Sequence, residues 1–302
     1  MSVSPVIIIF AYNRPKHLNR LLSSINLNKI QTNQRILFFC DGPKSASDKK
    51  KIYQIKEIIK SSKLKFYKTI FRKKNVGLSK NITDGVTKSL KFSDKCIVLE
   101  DDLIINNKTI NYMNKMLKYF EKDRNIGSIS AYSYLNYFKN FKKYNFYVSK
   151  RHCSWCWGTW RRVWKKINWN KKNYNSHFKS KKSLHNFSLG GNDLNLLLWG
   201  QQNKYVDSWA IRFNFYCVQN KLVSIQPRYS MVKNEGKDLS GTHEKISLKK
   251  EEKNNFYPKV ISRKTVINNL IISERINDYI MTTHRKSYKL SLRYLLKHKK
   301  LI

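Results

Sequence analysis

Cys96–Leu103 reads CIVLEDDL, an apolar run that ends in three consecutive acids before a leucine. The apolar residues predict a short buried strand, which places Glu100, Asp101 and Asp102 at its carboxyl end. Adjacent carboxylates in a desolvated position are costly unless a cation neutralises them. A hard divalent metal that also binds phosphate oxygens fits that requirement. The alternative is an acidic turn that caps a helix near 106–120, since acids also favour helix N-termini.

The chain before this stretch alternates between strand-like and helix-like patterns. Pro15 is followed by apolar residues at helical spacing, and two later segments repeat that pattern before Cys96. Apolar strands separated by amphipathic helices predict an α/β fold with a mostly parallel sheet that helices cover on both faces. Ligands of such sheets bind at the carboxyl ends of the strands. The other predicted strands are Val6–Phe10, Arg35–Cys40, Lys65–Ile70 and Ile126–Ser130.

Two further motifs lie where predicted strands end. The first strand runs into Phe10–Pro15, FAYNRP, and the helix that follows offers an anion site at its N-terminus. Arg14 could bind a phosphate or a ribose there, and a plain strand-to-helix turn is the alternative. The second strand runs into Cys40–Pro43, CDGP, where Asp41 could accept a hydrogen bond from a nucleobase or a ribose hydroxyl. For that motif the alternative is a simple Asp-Gly turn.

Asn75–Asn81 opens the third predicted helix. Its residues could cap the helix, or Lys80 and Asn81 could reach the same ligand. Residues 131–190 differ in character, because they are aromatic and basic, with five tryptophans between 155 and 169. A tryptophan cluster of this kind is more commonly part of a core, although exposed tryptophan rings also stack on sugars.

The order of these motifs resembles the nucleotide-sugar half of GT-A glycosyltransferases. It is most similar to the N-acetylglucosaminyltransferase I superfamily, whose metal motif is also Glu-Asp-Asp. Bacterial enzymes that build lipopolysaccharide or capsular glycans have similar sequences, with a tryptophan-rich segment like Cys153–Trp164. Their terminal motif looks like Pro227–Asn234 followed by Ser240–His243. The resemblance covers about residues 4–245 and implies a GT-A, Rossmann-like fold.

This resemblance also implies a division of the chain and an activity. Residues 1–130 would form the half that binds the nucleotide sugar, and 131–245 the half that holds the acceptor and the catalytic base. Residues 246–302 would form a helical, basic C-terminal extension. The implied activity is metal-dependent, inverting transfer of a hexosyl or N-acetylhexosaminyl group. Its donor would be a UDP-sugar, and its acceptor a hydroxyl group of a glycan or lipid-linked glycan.

Single residues acquire roles from the same resemblance. Asp102 matches the acid that ligates Mn²⁺ (or Mg²⁺). Asp207 matches the catalytic base, and Asp193 is the rival candidate for that role. The implied donor-binding residues are Phe10, Tyr12, Arg14, Asp41, Lys80, Asn81, Glu100, Asp101 and His243.

The chain departs from the family pattern in two places. Lys80 and Asn81 stand where the family often has His or Arg, which leaves the pyrophosphate contacts open. Residues 233–243 match a lid that orders over the donor, and Glu235 is an unexpected acid on the phosphate side of such a lid.

Composition adds an argument from charge. Lys and Arg number 61 against 19 Asp and Glu, which gives a formal net charge of +42. The excess should attract an anionic partner, so a nucleic-acid-binding protein is one alternative function. The basic residues are spread over the chain without a nucleic-acid motif, and we therefore expect no nucleic-acid partner. A non-catalytic sugar-binding module is the other alternative, and it would not need three adjacent acids.

We expect a cytoplasmic protein without a disulfide framework. The five cysteines are odd in number and irregularly spaced, and no signal-peptide pattern opens the sequence. The segment 284–302 predicts a basic amphipathic helix, because lysines and arginines recur every three or four residues. Such a helix would bind the anionic inner face of the cytoplasmic membrane, or it would pack on the catalytic domain with its basic side in solvent.

Overall fold

Strands and helices alternate in the first third of the computed structural model, which describes residues 3–134 and 146–236. The elements are β1 (Val6–Ala11), α1 (Pro15–Asn26), β2 (Ile36–Cys40), α2 (Ala46–Lys60), β3 (Lys68–Phe71), α3 (Leu78–Ser89) and β4 (Lys95–Glu100). β1 pairs in parallel with β2 and β4, and β2 pairs in parallel with β3. Every residue of β1 and β2 is buried, as expected for strands with helices on both faces.

Shorter and less regular elements make up the rest of the described chain. They are β5 (Leu103–Ile105), α4 (Thr109–Tyr119), β6 (Ile126–Ser130), β7 (Phe146–Ser149), β8 (Trp157–Trp160), α5 (Arg161–Trp164), α6 (Asn175–Phe178), α7 (Lys181–Ser188), α8 (Leu194–Gln202), α9 (Trp209–Gln219), β9 (Val223–Pro227) and β10 (Val232–Asn234). The main sheet has the order β3-β2-β1-β4-β8-β6-β9-β7, and only β8 and β7 run against the other six strands. The predicted α/β fold with a mostly parallel sheet is therefore confirmed.

The six parallel strands end at one side of the sheet, which we call the carboxyl edge. β1, β2 and β4 are neighbours there, so the loops that follow Ala11, Cys40 and Glu100 lie side by side. Helix α3 begins at this edge and packs against α9. A second, two-stranded sheet forms where β10 pairs with β5 just beyond the acids of β4.

The bounds of one predicted strand need correction. The third strand is Lys68–Phe71 rather than Lys65–Ile70, because its pairing with β2 begins where Lys68 lies opposite Leu37 and extends to Phe71. The other predicted strands agree with the structure to within about a residue at each end.

The acids at 100–102 do not cap a helix. Helix α4 begins at Thr109, with Lys108 at its N-cap and no acid in its first turn. Strand β5 separates that helix from the acids. The helix-capping alternative for these acids is therefore wrong.

Most of the tryptophan cluster belongs to the core. Trp157 is 1% exposed, and its ring stacks on that of Trp209 with the centroids 4.7 Å apart. Trp160 and Trp164 are buried as well, whereas Trp155 and Trp169 are partly exposed. Most of these tryptophans therefore pack in the core, as tryptophan clusters more commonly do. All five cysteines are free and buried.

Several sequence expectations fall outside the described residues. They concern His243, the rest of the predicted lid from residue 237, and the basic extension 246–302. Within residues 3–134 and 146–236, the helices are all too short or too polar to cross a bilayer.

Candidate active site

The three acids lie at the junction of two parallel strands. In the sheet register Glu100 pairs with Phe10, so the acids of β4 face the loop that follows β1. Glu100 is partly buried, Asp101 is 2% exposed and Asp102 is 14% exposed. The structure therefore brings together two of the motifs that the sequence places at strand ends.

Arg14 joins these two motifs directly. Its Nη1 lies 3.0 Å from Asp102 Oδ2, and its Nη2 donates a hydrogen bond to Asp101 Oδ1. The backbone nitrogen of Tyr12 donates to the other oxygen of Asp101, at 3.1 Å. In this arrangement Arg14 acts as the counter-ion of the acids.

One guanidinium faces three carboxylates in this cluster. Burial raises the pKa of Glu100 to about 8, with Asp102 and Asp101 adding to the effect and Arg14 opposing it. Burial also raises the pKa of Asp101, which Arg14 opposes as well. The raised pKa values reflect mainly the burial of these carboxylates, which Arg14 offsets only in part. A divalent cation would stabilise their ionised form, and carboxylate oxygens are its usual ligands.

Asp102 is the acid best placed to hold such a cation, because it is more exposed than Asp101. Among the described residues, no three His, Cys, Asp or Glu side chains form a ready metal site. Water and the phosphate oxygens of a ligand would therefore have to complete the coordination, as is usual for Mg²⁺ bound near phosphates. The donor set of carboxylate oxygens fits Mn²⁺ or Mg²⁺.

The start of the predicted lid lies on top of this cluster. The backbone nitrogen of Glu235 donates to the backbone oxygen of Asp102 at 2.8 Å. A Cβ atom on Gly236 would clash with Asp102 Oδ2 and would lie 3.2 Å from Arg14 Nη1. Any side chain at position 236 would therefore force Asp102 or this segment to shift. The carboxylate of Glu235, unexpected from the sequence, pairs with Arg20 at 2.5 Å and with Lys233 at 3.2 Å.

Asp41 holds two loops together at the end of β2. Its Oδ1 accepts hydrogen bonds from the backbone nitrogens of Gly42 (2.8 Å) and Val76 (2.9 Å), and its Oδ2 accepts from Gly77 (3.0 Å). A Cβ on Gly42 would clash with the backbone of Lys74, so Gly42 is needed for this approach. Asp41 thus fixes the loop after β2 and the entry to α3. Its Oδ2 accepts one of these three bonds and its Oδ1 accepts two.

Asp48 is a site residue that the sequence reasoning missed. Its Oδ2 accepts from the Tyr12 hydroxyl at 2.7 Å, and its Oδ1 accepts from Asn13 Nδ2 at 2.7 Å. These bonds, with that of Asn13 the strongest, hold the pKa of Asp48 well below its usual range. Asp48 therefore fixes the loop that presents Arg14. The pattern Ser45-x-x-Asp48, a capping box at the start of α2, is the local signal that could have drawn attention to it.

Three other residues that the resemblance assigns to donor binding have side chains that lie away from the acid cluster. The side chain of Phe10 is buried, with its ring stacked on Phe39 at 5.4 Å, so only its backbone could meet a ligand. Asn81 is buried too, and its Oδ1 accepts from Arg72 Nε at 2.7 Å. Lys80 is 63% exposed, with Asp84 at 3.8 Å. The structure therefore does not bring these three side chains to the acid cluster.

The two candidate bases have opposite environments. Asp207 is 66% exposed, and its Oδ1 accepts from Arg212 Nη2 at 2.9 Å. Arg212 also donates to Ser79 in the first turn of α3, which places Asp207 near the carboxyl edge. Ser208 rather than Asp207 caps α9, so helix capping does not account for Asp207.

Asp193 is only 1% exposed and is held by Arg151. The two side chains form a pair of parallel contacts, Nη1 to Oδ1 at 2.8 Å and Nη2 to Oδ2 at 3.0 Å. A proton-accepting role would require this buried pair to open. In the described conformation, Asp207 is therefore the more available carboxylate.

Comparison with protein-family models identifies the family of the chain. The sequence model of "Glycosyl transferase family 2" matches residues 6–183, more than half of the chain. No curated protein matches the chain.

Solved structures resemble the fold at low identity. One is the mannosyltransferase PcManGT from Pyrobaculum calidifontis in complex with GDP-Man and Mn²⁺, at 11% identity and a TM-score of 0.39, covering 55% of this chain and 47% of that one. Another is S. aureus TarS 1-349, at 14% identity and a TM-score of 0.39, covering 62% of this chain and 54% of that one. The chain thus spans about half the length of either structure.

Proposed function

Since the chain belongs to glycosyl transferase family 2, we propose that it transfers a hexosyl or N-acetylhexosaminyl group from a UDP-sugar to a hydroxyl group of a bacterial surface glycan. The acceptor would be a lipopolysaccharide, capsular or lipid-linked glycan, and the anomeric centre would be inverted. We further propose that transfer takes place in the cytoplasm, at the inner face of the membrane. The observation that carries the proposal is the junction of β1 and β4, where Arg14 meets Asp101 and Asp102.

The donor would bind at the carboxyl edge, across the loops after β1, β2 and β4. Asp41 has one oxygen with remaining capacity to accept a hydrogen bond from the base or the ribose. Asp101, which is almost fully buried, holds Arg14 in place, whereas Asp102, its other partner, is more exposed. Arg14 could therefore exchange Asp102 for a donor phosphate and keep its bond to Asp101.

A metal ion fits this site because Arg14 only partly offsets the burial of these carboxylates. Asp102 would hold Mn²⁺ or Mg²⁺ together with the donor phosphates. A bound metal would stabilise the negative charge that develops on the departing nucleotide diphosphate. The Arg14–Asp102 contact would have to loosen when the metal binds, because both cations use the same carboxylate.

Asp207 would act as the base in a single displacement. Its carboxylate would accept the proton of the acceptor hydroxyl as that oxygen attacks the anomeric carbon and the bond to the diphosphate breaks. One base is sufficient, since an inverting reaction forms no covalent sugar–enzyme intermediate. Arg212 would orient this carboxylate, and Ser79 and the Trp169 carbonyl hold Arg212 in turn.

A panel of nucleotide sugars tests the proposal. Thermal unfolding is followed with each donor, with and without Mn²⁺, and donor turnover is then measured for those that stabilise the protein. A ligand at 100 times its Kd should stabilise the fold by about 2.7 kcal/mol, which is readily detected. If no nucleotide sugar stabilises the wild-type protein or turns over, with any divalent metal, the proposed transferase activity is wrong.

A further inference from the structure

Two clefts adjoin on the side of the molecule formed by α5, α6 and α9. The first, of about 550 Å³, lies between the end of α3 and α5, and the second, of about 470 Å³, lies between α6 and α9. Ile167 lines both clefts, so they meet at this residue. We call the two together the α9 groove. None of the acid-cluster residues lines it.

The α9 groove is cationic. Among the described residues that line it there is no Asp or Glu, and its four lysines have no described carboxylate within 4 Å. Only its two arginines are paired with acids, one with Asp94 and the other with Asp207. The cationic lining residues are Lys91, Arg161, Lys165, Lys166, Lys171 and Arg212. A ligand that fills the groove must therefore carry negative charge to gain from this lining.

Aromatic and neutral polar groups lie between these cations. The Lys171 ammonium lies 5.3 Å from the ring centroid of Tyr174 and 5.0 Å from that of Phe215, so both rings contact this lining cation. The Ser183 hydroxyl lies 2.6 Å from His177 Nδ1 and accepts from Gln219 Nε2 at 2.9 Å. Fixed hydroxyl and amide groups beside aromatic rings suit a saccharide, whose hydroxyls and apolar ring faces need both kinds of contact.

The groove leads away from the proposed base. Arg212 contacts Asp207 and also lines the second cleft, so the groove begins beside that carboxylate. It continues along α9 as far as Gln219, seven residues further on, which corresponds to about 10 Å at the helical rise. A ligand in the groove would therefore extend along α9 from the residue that contacts Asp207. Its concave shape favours an elongated chain over a flat bilayer surface.

We propose that the α9 groove binds an acidic glycan, a saccharide chain with carboxylate or phosphate groups, as the extended part of the acceptor. This inference rests on the proposed transferase function for its biological meaning. Binding itself can be measured without turnover, which separates the two proposals.

The test uses a fluorescently labelled oligogalacturonate as the acidic glycan and measures its Kd by anisotropy. The double variant Lys166→Gln/Lys171→Gln removes two groove cations. Its matched control, Lys63→Gln/Lys65→Gln, removes two exposed lysines just before β3, an edge strand of the sheet, and neither lysine lines the groove. We expect the groove variant to raise Kd about tenfold, as two lost charge contacts would. The control should change Kd less than twofold. Lys91→Gln/Lys165→Gln, in the first cleft, provides a second groove variant if the first does not fold.

Three results would overturn the inference. Equal weakening in the groove and control variants would show that the net charge of +42, rather than the groove, binds the glycan. A neutral malto-oligosaccharide that binds as tightly as the oligogalacturonate would remove the role of charge. Tighter binding of single-stranded DNA or anionic phosphatidylserine vesicles, lost in the groove variant alone, would assign the groove to that partner.

Donor binding provides the independent control. Stabilisation by UDP and Mn²⁺ should be unchanged in the Lys166→Gln/Lys171→Gln variant, because neither lysine belongs to the acid cluster. Loss of glycan binding with donor binding intact supports the groove assignment. If the wild-type protein binds the oligogalacturonate in the groove but binds no donor, the transferase function fails and the groove assignment stands.

Discussion

Replacing Arg14 with methionine removes the cation that joins Asp101 to Asp102. Asp101 is 2% exposed and Arg14 is 18% exposed, so their contact is largely shielded from water. Removing one partner of a buried ion pair leaves an uncompensated charge, at a cost of about 3–5 kcal/mol. Asp102 is 14% exposed and keeps some hydration. We therefore expect Arg14→Met to lower the free energy of unfolding by about 3 kcal/mol, at the low end of that range.

Urea unfolding followed by circular dichroism, with and without saturating Mn²⁺, measures this effect. Mn²⁺ would restore positive charge at Asp102, so it should stabilise Arg14→Met more than it stabilises the wild-type protein. Arg20→Met is the matched control: Arg20 is 52% exposed and pairs with Glu235, so its loss should cost less than about 1 kcal/mol. A loss in Arg14→Met no larger than that of the control would refute the reasoning. An equal Mn²⁺ increment in variant and wild type would do the same.

Three further predictions concern single residues. Asp48→Asn should be less stable than the wild-type protein at neutral pH, and this difference in unfolding free energy should shrink as pH falls below about 4. The reason is that a carboxylate with a depressed pKa stabilises the fold above its unfolded pKa and loses that contribution in acid. Urea titrations at several pH values test this. Asp207→Asn should lower kcat by about two to four orders of magnitude and retain donor affinity. Asp193→Asn should instead lower the free energy of unfolding by about 3 kcal/mol. Steady-state kinetics and thermal melts of both variants separate the two roles. Gly236→Ala should lower kcat/KM about tenfold, because its Cβ would displace either the Asp102 carboxylate or the segment that covers it. Wild-type kinetics would contradict that role.

The parallel half of the sheet could be predicted because its signal is local. β1, β2 and β4 are continuous apolar runs, and the residues that follow them share one edge whenever such strands run parallel. The placement of Arg14 and Asp102 near each other follows from that rule alone. The sequence did not show that Arg14 turns toward the acids, because that contact joins residues 88 positions apart.

Long-range packing explains what the sequence reasoning missed. β7 and β8 are four residues each, without alternation that would distinguish them from loop, and they form because neighbouring strands supply their partners. Asp48 shows the same limit, since its capping box is local whereas its bonds to Tyr12 and Asn13 cross more than 30 residues. For Phe10 the local signal was the better guide. Its apolar side chain indicates the core, where it lies, and not the ligand site to which the resemblance assigned it.

Calorimetric titration of UDP into wild-type protein and into Asp102→Asn, each with and without Mn²⁺, tests the assignment of the acid cluster as the donor and metal site. The wild-type protein should bind UDP more tightly with Mn²⁺ than without it, and Asp102→Asn should lose that difference while keeping its fold by circular dichroism. A Mn²⁺-dependent gain in UDP affinity that is unchanged in Asp102→Asn would contradict the assignment.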